Sequence, residues 1–241
     1  LEKMAYRGIE ISASVMCMDW LHLQDQLLTL EELNIDFLHF DLMDGVFVPE
    51  FSIGPLIVEK IRENTSIPSD YHVMVEEPRR IFDQFVSDDN SYFSIHYEAC
   101  RNLHRELVAL RKLNFNPGIV LNPATTLENI EYVIEEVKKV TIMTVNPGYV
   151  GPKMVSQTLH KVKKLYEWRK KHKFDLRIAV DGNVSFENIP KMIAAGVDVL
   201  VVGTSGLFLK NQRIEESYKK LISKIDEGMN LKEKIWKSNL V

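Results

Sequence analysis

The 241-residue sequence predicts a single-domain (β/α)8 TIM barrel, and three observations carry that prediction. Eight short β-rich runs alternate with helical patterns. Their starts lie about 27 residues apart on average, the length of a strand, a crossover helix and two loops. Several runs are apolar on both faces, Val199-Leu200-Val201-Val202 for example, as strands buried between a barrel interior and a helix layer must be. No Pro/Gly/Ser-rich linker, low-complexity tract or shift of composition divides the chain. Residues 1-241 are therefore read as one barrel domain, with 1-8 and 230-241 peripheral. A doubly wound open sheet is the competing arrangement. No G-x-G-x-x-G follows the first run, which weakens its dinucleotide-binding form.

In chain order, the first strand is read at Ile9–Ala13. Asp19 then N-caps a helix over Trp20–Leu33, whose Leu23, Leu27 and Leu30 share a face. Strands two to five are read at Phe37–Asp41, Asp70–Met74, Tyr92–His96 and Pro117–Leu121. Thr126 precedes a helix over Leu127–Val137, with Ile130, Val133, Ile134 and Val137 in helical register. Strand six is Val140–Val145. The run Val155–Lys173 alternates apolar and basic positions, and its cluster of Lys163, Lys164 and Arg169 to Lys171 reads as a solvated outer face. Strand seven is Arg177–Asp181. Ser185 caps Phe186–Ala195, with Gly196 where a helix C-cap glycine belongs, and strand eight is Asp198–Gly203.

Composition excludes several classes. Thirty Lys+Arg against 34 Asp+Glu give a formal charge of −4, with 45% hydrophobic and 27% charged residues. That is ordinary globular usage, unlike a disordered or fibrous chain. It supplies no basic face for nucleic acid. No stretch reaches the roughly 18 apolar residues of a membrane span. The N-terminal residues do not make a signal peptide, and Leu1 to Lys3, ahead of Met4, read as an added remnant. Cys17 and Cys100, far apart, read as reduced thiols of a cytoplasmic protein. Outer helices carrying aromatics such as Trp168 leave room for subunit contacts, so a homo-oligomer is expected.

In this fold the chemistry sits where strands end at the C-terminal face of the barrel. Strand two ends His39-Phe40-Asp41-Leu42-Met43-Asp44-Gly45, and the i, i+2 spacing sends His39 and Asp41 to one side. Strand three ends Tyr71-His72-Val73-Met74 and strand seven ends Ala179-Val180-Asp181-Gly182. A lone H-x-D is more often a plain hydrogen-bonded pair. Two His and two Asp from three strand ends, however, make an N2O2 set for one divalent ion, zinc, iron, manganese or cobalt. Two carboxylates at such an ion also suit proton removal and return through an enediolate. Gly148 and Gly151 after strand six, and Gly203 to Gly206 after strand eight, can bring backbone N–H groups to an anion. The loops after strands seven and eight are the usual phosphate cradle of the fold.

These residues carry a resemblance. Ile11-Ser12-Ala13-Ser14, His39-Phe40-Asp41-Leu42-Met43-Asp44-Gly45, His72-Val73-Met74, Leu121-Asn122-Pro123-Ala124-Thr125, Val145-Asn146-Pro147-Gly148, Val180-Asp181-Gly182 and Gly203-Thr204 resemble, in order, the ribulose-phosphate 3-epimerase family. Within it, Ser14-Val15-Met16-Cys17-Met18-Asp19, Met143-Thr144-Val145 and Val202-Gly203-Thr204-Ser205-Gly206-Leu207-Phe208 look more like the D-allulose-6-phosphate 3-epimerase branch. The resemblance implies a sugar-phosphate substrate and a metal on His39, Asp41, His72 and Asp181. It implies Asp41 as proton acceptor and Asp181 as donor, exchanging roles in reverse. It also implies Ser14 on the sugar oxygens and Met43, Met74 and Met143 against the reacting face. Phosphate would rest on the backbone of Gly148, Tyr149, Val150 and Gly151, of Gly182 and Asn183, and of Gly203, Thr204 and Ser205.

The chain departs from the family pattern at several places. Val150 stands where the family's loop has a small residue, and Pro152 brings no N–H. Asn183 replaces the second glycine of the ribulose-phosphate form, and Ala13 replaces a proline. Val150 and Pro152 motivate a reading from another class, an inactive phosphosugar-binding barrel. Ribulose-5-phosphate 3-epimerase is the alternative within the enzyme class. A decarboxylase of the orotidine-phosphate type is set aside, because strand two carries no lysine.

Overall fold

Each of the eight β-rich runs forms a parallel strand, and the strands close a barrel in sequence order. The structure is a computed structural model that describes residues 6, 8–88, 90–148, 151 and 153–238, the side chain of Ser238 excepted. The strands are β1 (Glu10–Ser14), β2 (Phe37–Met43), β3 (Ser69–Met74), β4 (Tyr92–His96), β5 (Asn116–Leu121), β6 (Lys139–Met143), β7 (Arg177–Asp181) and β8 (Val199–Val202). The α-helices between and after them are α1 (Leu23–Glu32), α2 (Pro55–Arg62), α3 (Leu103–Lys112), α4 (Thr158–His172), α5 (Ile189–Ala195) and α6 (Ile214–Ser238).

Strand alternation divides the residues between two compartments. On β2, Leu38, Phe40 and Leu42 join the apolar layer between sheet and helices, which also takes Val73, Ile95, Ile119, Ile142, Val180 and Leu200 from the other strands. The opposite face of the same strands fills the barrel interior, and much of it is polar: Ser12, Ser14, His39, Asp41, Asp70, His72, Ser94, His96, Lys139 and Thr141 are all buried. Register stacks this interior in rungs. His39 pairs with Asp70, Asp41 with His72 and Met43 with Met74 along β2 and β3, and Met143 pairs with Asp181 across β6 and β7.

Three helix readings are corrected by local hydrogen bonding. Asp19 does not cap a helix starting at Trp20. Its carboxylate closes a turn, accepting from the Leu21 N–H (3.0 Å) and contacting His22 Nδ1 (2.9 Å), so α1 begins only at Leu23. Leu127–Glu136 winds as a 3-10 helix instead of an α-helix. The segment closes with the tighter i→i+3 pattern, the Val137 N–H donating to the Ile134 carbonyl (3.2 Å). Ser185 offers its backbone carbonyl to the N–H of Asn188 and Ile189, not a side-chain cap, and α5 starts at Ile189. Gly196 does end that helix, at φ 115°.

The outer face of α4 also differs in part from expectation. Lys164 and Lys170 are exposed, but Arg169 turns inward onto both carboxylate oxygens of Asp198. Trp168 is half-buried, set edge-on against Phe174 (5.5 Å between rings), so it is not a free aromatic for subunit contacts. Within the segment 230-241, α6 continues to Ser238, and Trp236 packs at a tilt against Tyr166 (4.8 Å between ring centroids) and donates to the Ala194 carbonyl (3.2 Å). Among the described residues no helix is long and apolar enough to cross a membrane.

Candidate active site

The interior rungs deliver four side chains to one place at the C-terminal end of the barrel. His39 and Asp41 come from β2, His72 from β3 and Asp181 from β7, and their ligand atoms all lie within 4.8 Å of one another. His39 Nε2 is 3.3 Å from Asp41 Oδ1 and 3.6 Å from Asp181 Oδ2. His72 Nδ1 is 3.1 Å from the same two oxygens. Ligands about 2.0–2.2 Å from a tetrahedral ion stand about 3.4 Å apart, so these four edges fit such a set. His39 Nε2 is buried and has no hydrogen-bond partner, an orphan that a cation would satisfy. Two carboxylates and two neutral imidazoles carry charge −2, which a divalent cation balances.

Electrostatics agree with the geometry. Burial pushes the Asp41 carboxyl up, yet the charge of His39 and the close approach of the His39 and His72 rings outweigh it and hold the group well below the usual carboxylate range. Asp181 is likewise raised by burial and brought down by His39 and His72, to about 2. Burial disfavours a charged His39, but Asp41 and Asp70 raise it well above its ordinary value. The cluster draws positive charge from whatever source is present.

A second set of buried groups orients the first. His39 Nδ1 lies 3.0 Å from Asp70 Oδ2, which also accepts from Ser12 Oγ (2.9 Å), while the other Asp70 oxygen is paired with the buried ammonium of Lys139. On the far side, His72 Nε2 lies 2.9 Å from His96 Nε2, and His96 Nδ1 lies 3.3 Å from Glu98 Oε2. Burial pushes the His96 imidazole down to about 4, so it is neutral near pH 7.

Above the cluster opens a cavity of about 490 Å³, within the size range of small-molecule sites. Ser14, Asp41, Met43, His72, Met74, Met143, Gly148, Gly151, Asp181, Gly182, Asn183, Gly203, Thr204 and Ser205 all line it; His39 lies beneath. Ser14 Oγ donates to Asp41 Oδ2 (3.0 Å). Gly182 and Asn183 turn the chain through left-handed backbone, φ 98° and 44°. Asn is the side chain that tolerates this best after glycine. Tyr149 and Val150 of the expected phosphate loop, and Pro152, lie outside the described residues.

Sequence reasoning missed several groups at this site. Cys17, Glu50 and Phe51 also line the cavity. His96 and Glu98 repeat at the end of β4 the same i, i+2 spacing as His39 and Asp41, a signal that was legible. Asp70 and Lys139 are charged residues at the starts of strands, where charge is unremarkable, and nothing local shows their pairing across 69 positions.

Comparison with known proteins follows the same lines. The sequence model of the Ribulose-phosphate 3 epimerase family matches residues 10–208. The chain is 39% identical over 198 residues to the ribulose-phosphate 3-epimerase of Bacillus subtilis (strain 168), covering 82% of this chain and 91% of that one. It is 35% identical over 222 residues to that of Methanocaldococcus jannaschii, covering 92% and 93%. It is 32% identical over 216 residues to that of Escherichia coli (strain K12), covering 89% and 93%. Among solved structures, KGPDC from Streptococcus mutans superposes with a TM-score of 0.65 at 13% identity, covering 91% of this chain and 98% of that one, a likeness of fold.

Proposed function

Because the chain belongs to the ribulose-phosphate 3-epimerase family, and is an isomerase acting on carbohydrates, we propose that it interconverts D-allulose 6-phosphate and D-fructose 6-phosphate, with Asp41 and Asp181 as the proton-transfer pair. The single observation that carries the choice of substrate is where the branch-like segments fall. Ser14, Met16 and Cys17, Met143 and Val145, and Gly203, Thr204 and Ser205 all line the cavity. A substrate longer by one carbon would be read on those walls.

His39, Asp41, His72 and Asp181 would hold one divalent ion, zinc, iron, manganese or cobalt. When bound, it supplies positive charge beside the oxygens of the deprotonated sugar. The chain's own groups do the rest. The Asp41 carboxylate takes the proton from C3; the C3–H electron pair becomes the C2–C3 π bond and the C2 carbonyl π pair moves onto O2, which gives the enediolate, and collapse of that pair back to the carbonyl accompanies reprotonation at C3. Asp181, ionised in the free site, enters this direction of the reaction with a proton taken from solvent and delivers it to C3 from the opposite face, and the proton on Asp41 returns to solvent after turnover. β2 and β7 are separated by β1 and β8 in the closed barrel, which supports approach from different sides. In the reverse direction the two exchange roles. Ser14 holds Asp41 and a sugar oxygen. Met43, Met74 and Met143 pack the reacting face with apolar, adaptable side chains. The phosphate rests on backbone N–H groups of Gly148 and Gly151, of Gly182 and Asn183, and of Gly203 to Ser205. The exposed apolar side chains of Val46, Phe51 and Leu56 support a homo-oligomer, and two free cysteines support a cytoplasmic setting.

The names of the relatives favour a second substrate, D-ribulose 5-phosphate, with the same residues in the same roles. Turnover of both compounds by the purified protein, side by side with added divalent ion, separates the two. The expected result is preference for the allulose compound. Preference for the ribulose compound would replace the substrate and leave the proton-transfer pair standing. Activity on neither, with metal bound, would favour an inactive phosphosugar-binding barrel.

A further inference from the structure

We propose that His96 and Glu98 are positioning residues that fix the tautomer of His72, so that its Nδ1 presents a lone pair to the Asp41–Asp181 pair. The inference rests on the reading of His39, Asp41, His72 and Asp181 as a cation site.

Glu98 anchors the relay. One carboxylate oxygen accepts from the Asn122 N–H (2.9 Å) and the Thr125 hydroxyl, which fixes the group in place. The other lies 3.3 Å from His96 Nδ1. A carboxylate only accepts, so the proton of that contact belongs to His96 Nδ1. In the neutral ring Nε2 is then an acceptor. It faces His72 Nε2 at 2.9 Å, a distance that needs one hydrogen between the nitrogens, and that hydrogen must come from His72. His72 is thereby the Nε2–H tautomer, and Nδ1 is left with its lone pair.

The relay opposes the local field. His72 Nδ1 stands 3.1 Å from one oxygen of each of two carboxylates, which taken alone would favour a proton on Nδ1 and so block a cation. Moving the proton there would break the His72–His96 hydrogen bond. Both rings are buried, with 5.1 Å between centroids, so no water replaces the lost partner. A second carboxylate, Asp70, acts directly on His39 Nδ1. His72 receives the same instruction through an intervening ring.

The test measures zinc affinity by chelator competition for the native chain, His96→Phe and His96→Gln, with melting curves to confirm folding. Phe fills the space and accepts nothing; the Gln carbonyl can accept the His72 Nε2–H. Groups behind a ligand histidine are typically worth about 10- to 100-fold in metal affinity, and His96→Phe should lose that much while His96→Gln recovers most of it. Long-range ¹H–¹⁵N correlation on the native zinc-loaded protein should place protons on His96 Nδ1 and His72 Nε2, whether or not the variants fold. Native-like zinc affinity in His96→Phe, equal losses in both variants, or a proton on His96 Nε2 would overturn the relay. Failure of the native chain to bind zinc would overturn the cation site, and the relay with it.

Discussion

Replacing Lys139 by Met should destabilise the barrel and loosen the active site together. The Lys139 ammonium and the Asp70 carboxylate are each 1% exposed. Without the ammonium, one Asp70 oxygen keeps Ser12 Oγ and His39 Nδ1 as donors and the other loses its charged partner. The ammonium also sits 4.9 Å from the centre of the Tyr92 ring. Removing one partner of a buried ion pair costs about 3–5 kcal/mol. In a chain of this size each kcal/mol lowers the melting temperature by about 2–4 °C, so the melt should fall by about 6–20 °C. Burial raises the Asp70 carboxyl, and Lys139 is the largest influence holding it down, ahead of His39. Its loss therefore leaves a carboxylate that draws a second proton onto His39, and a doubly protonated ring offers no lone pair. Divalent-ion affinity should fall with the melt. Adding Asp70→Asn removes the orphan charge, and the double variant should be less destabilised than the sum of the two singles by about 0.5–3 kcal/mol. Thermal unfolding and ion titration of the four proteins decide the matter. A Lys139→Met protein that melts like the native one, or strictly additive singles, would refute the reasoning.

Asp41→Asn and Asp181→Asn should each lower turnover by at least about 100-fold, since each removes a proton-transfer group. Retention of a large share of activity in either, in an assay coupled to ketose-phosphate consumption, would remove that residue from its role. Gly182→Ala adds a Cβ that would lie 2.4 Å from Val145 Cγ2, on a residue at φ 98°. It should cost about 1–3 kcal/mol and weaken substrate binding, and an unchanged melt would contradict the close approach. At alkaline pH, burial with Glu106 and Glu98 nearby pushes the Cys100 thiol up to about 12, and burial with Glu10 nearby does the same to Tyr92. Both folded values lie above the unfolded ones, so their stability contribution is whole below the unfolded values and fades as pH rises toward the folded ones. Stability should fall by about 1.4 kcal/mol per pH unit for each group, from about pH 9 upward for Cys100 and from about pH 10 upward for Tyr92, and Cys100→Ala should remove its contribution from the slope.

What was legible in the sequence follows from what a period of two can encode. His39 and Asp41 announce their shared face by spacing alone, and a strand end is readable from the turn residues behind it. The eight strands accordingly start and stop within two residues of their expected places. Partnerships between strands are not encoded locally. Nothing near Asp70 names Lys139, and nothing near His72 names His96; register and closure bring them together. Helix starts were the weaker reading for a related reason. Asp19 is a good capping residue by type, but its carboxylate is taken by Leu21 and His22 before the helix begins.

The same alternation explains how a barrel can carry so polar an interior. A TIM barrel is usually filled by layers of branched apolar side chains. Here Ser12, His39, Asp70 and Lys139 occupy such positions, and each is buried. Burying them is tolerable because almost every polar atom has a named partner, and because the opposite faces of the same strands hold Leu38, Phe40, Val73, Ile95, Ile142 and Leu200 in the outer apolar layer. Stability is thus placed on one side of each strand and chemistry on the other. A substitution such as Phe40→Ala should therefore lower the melt by opening a void, about 3–5 kcal/mol, while leaving the His72 tautomer in place. Lys139→Met should disturb both sides, because Asp70 belongs to the interior charge balance and to the orientation of His39 at once.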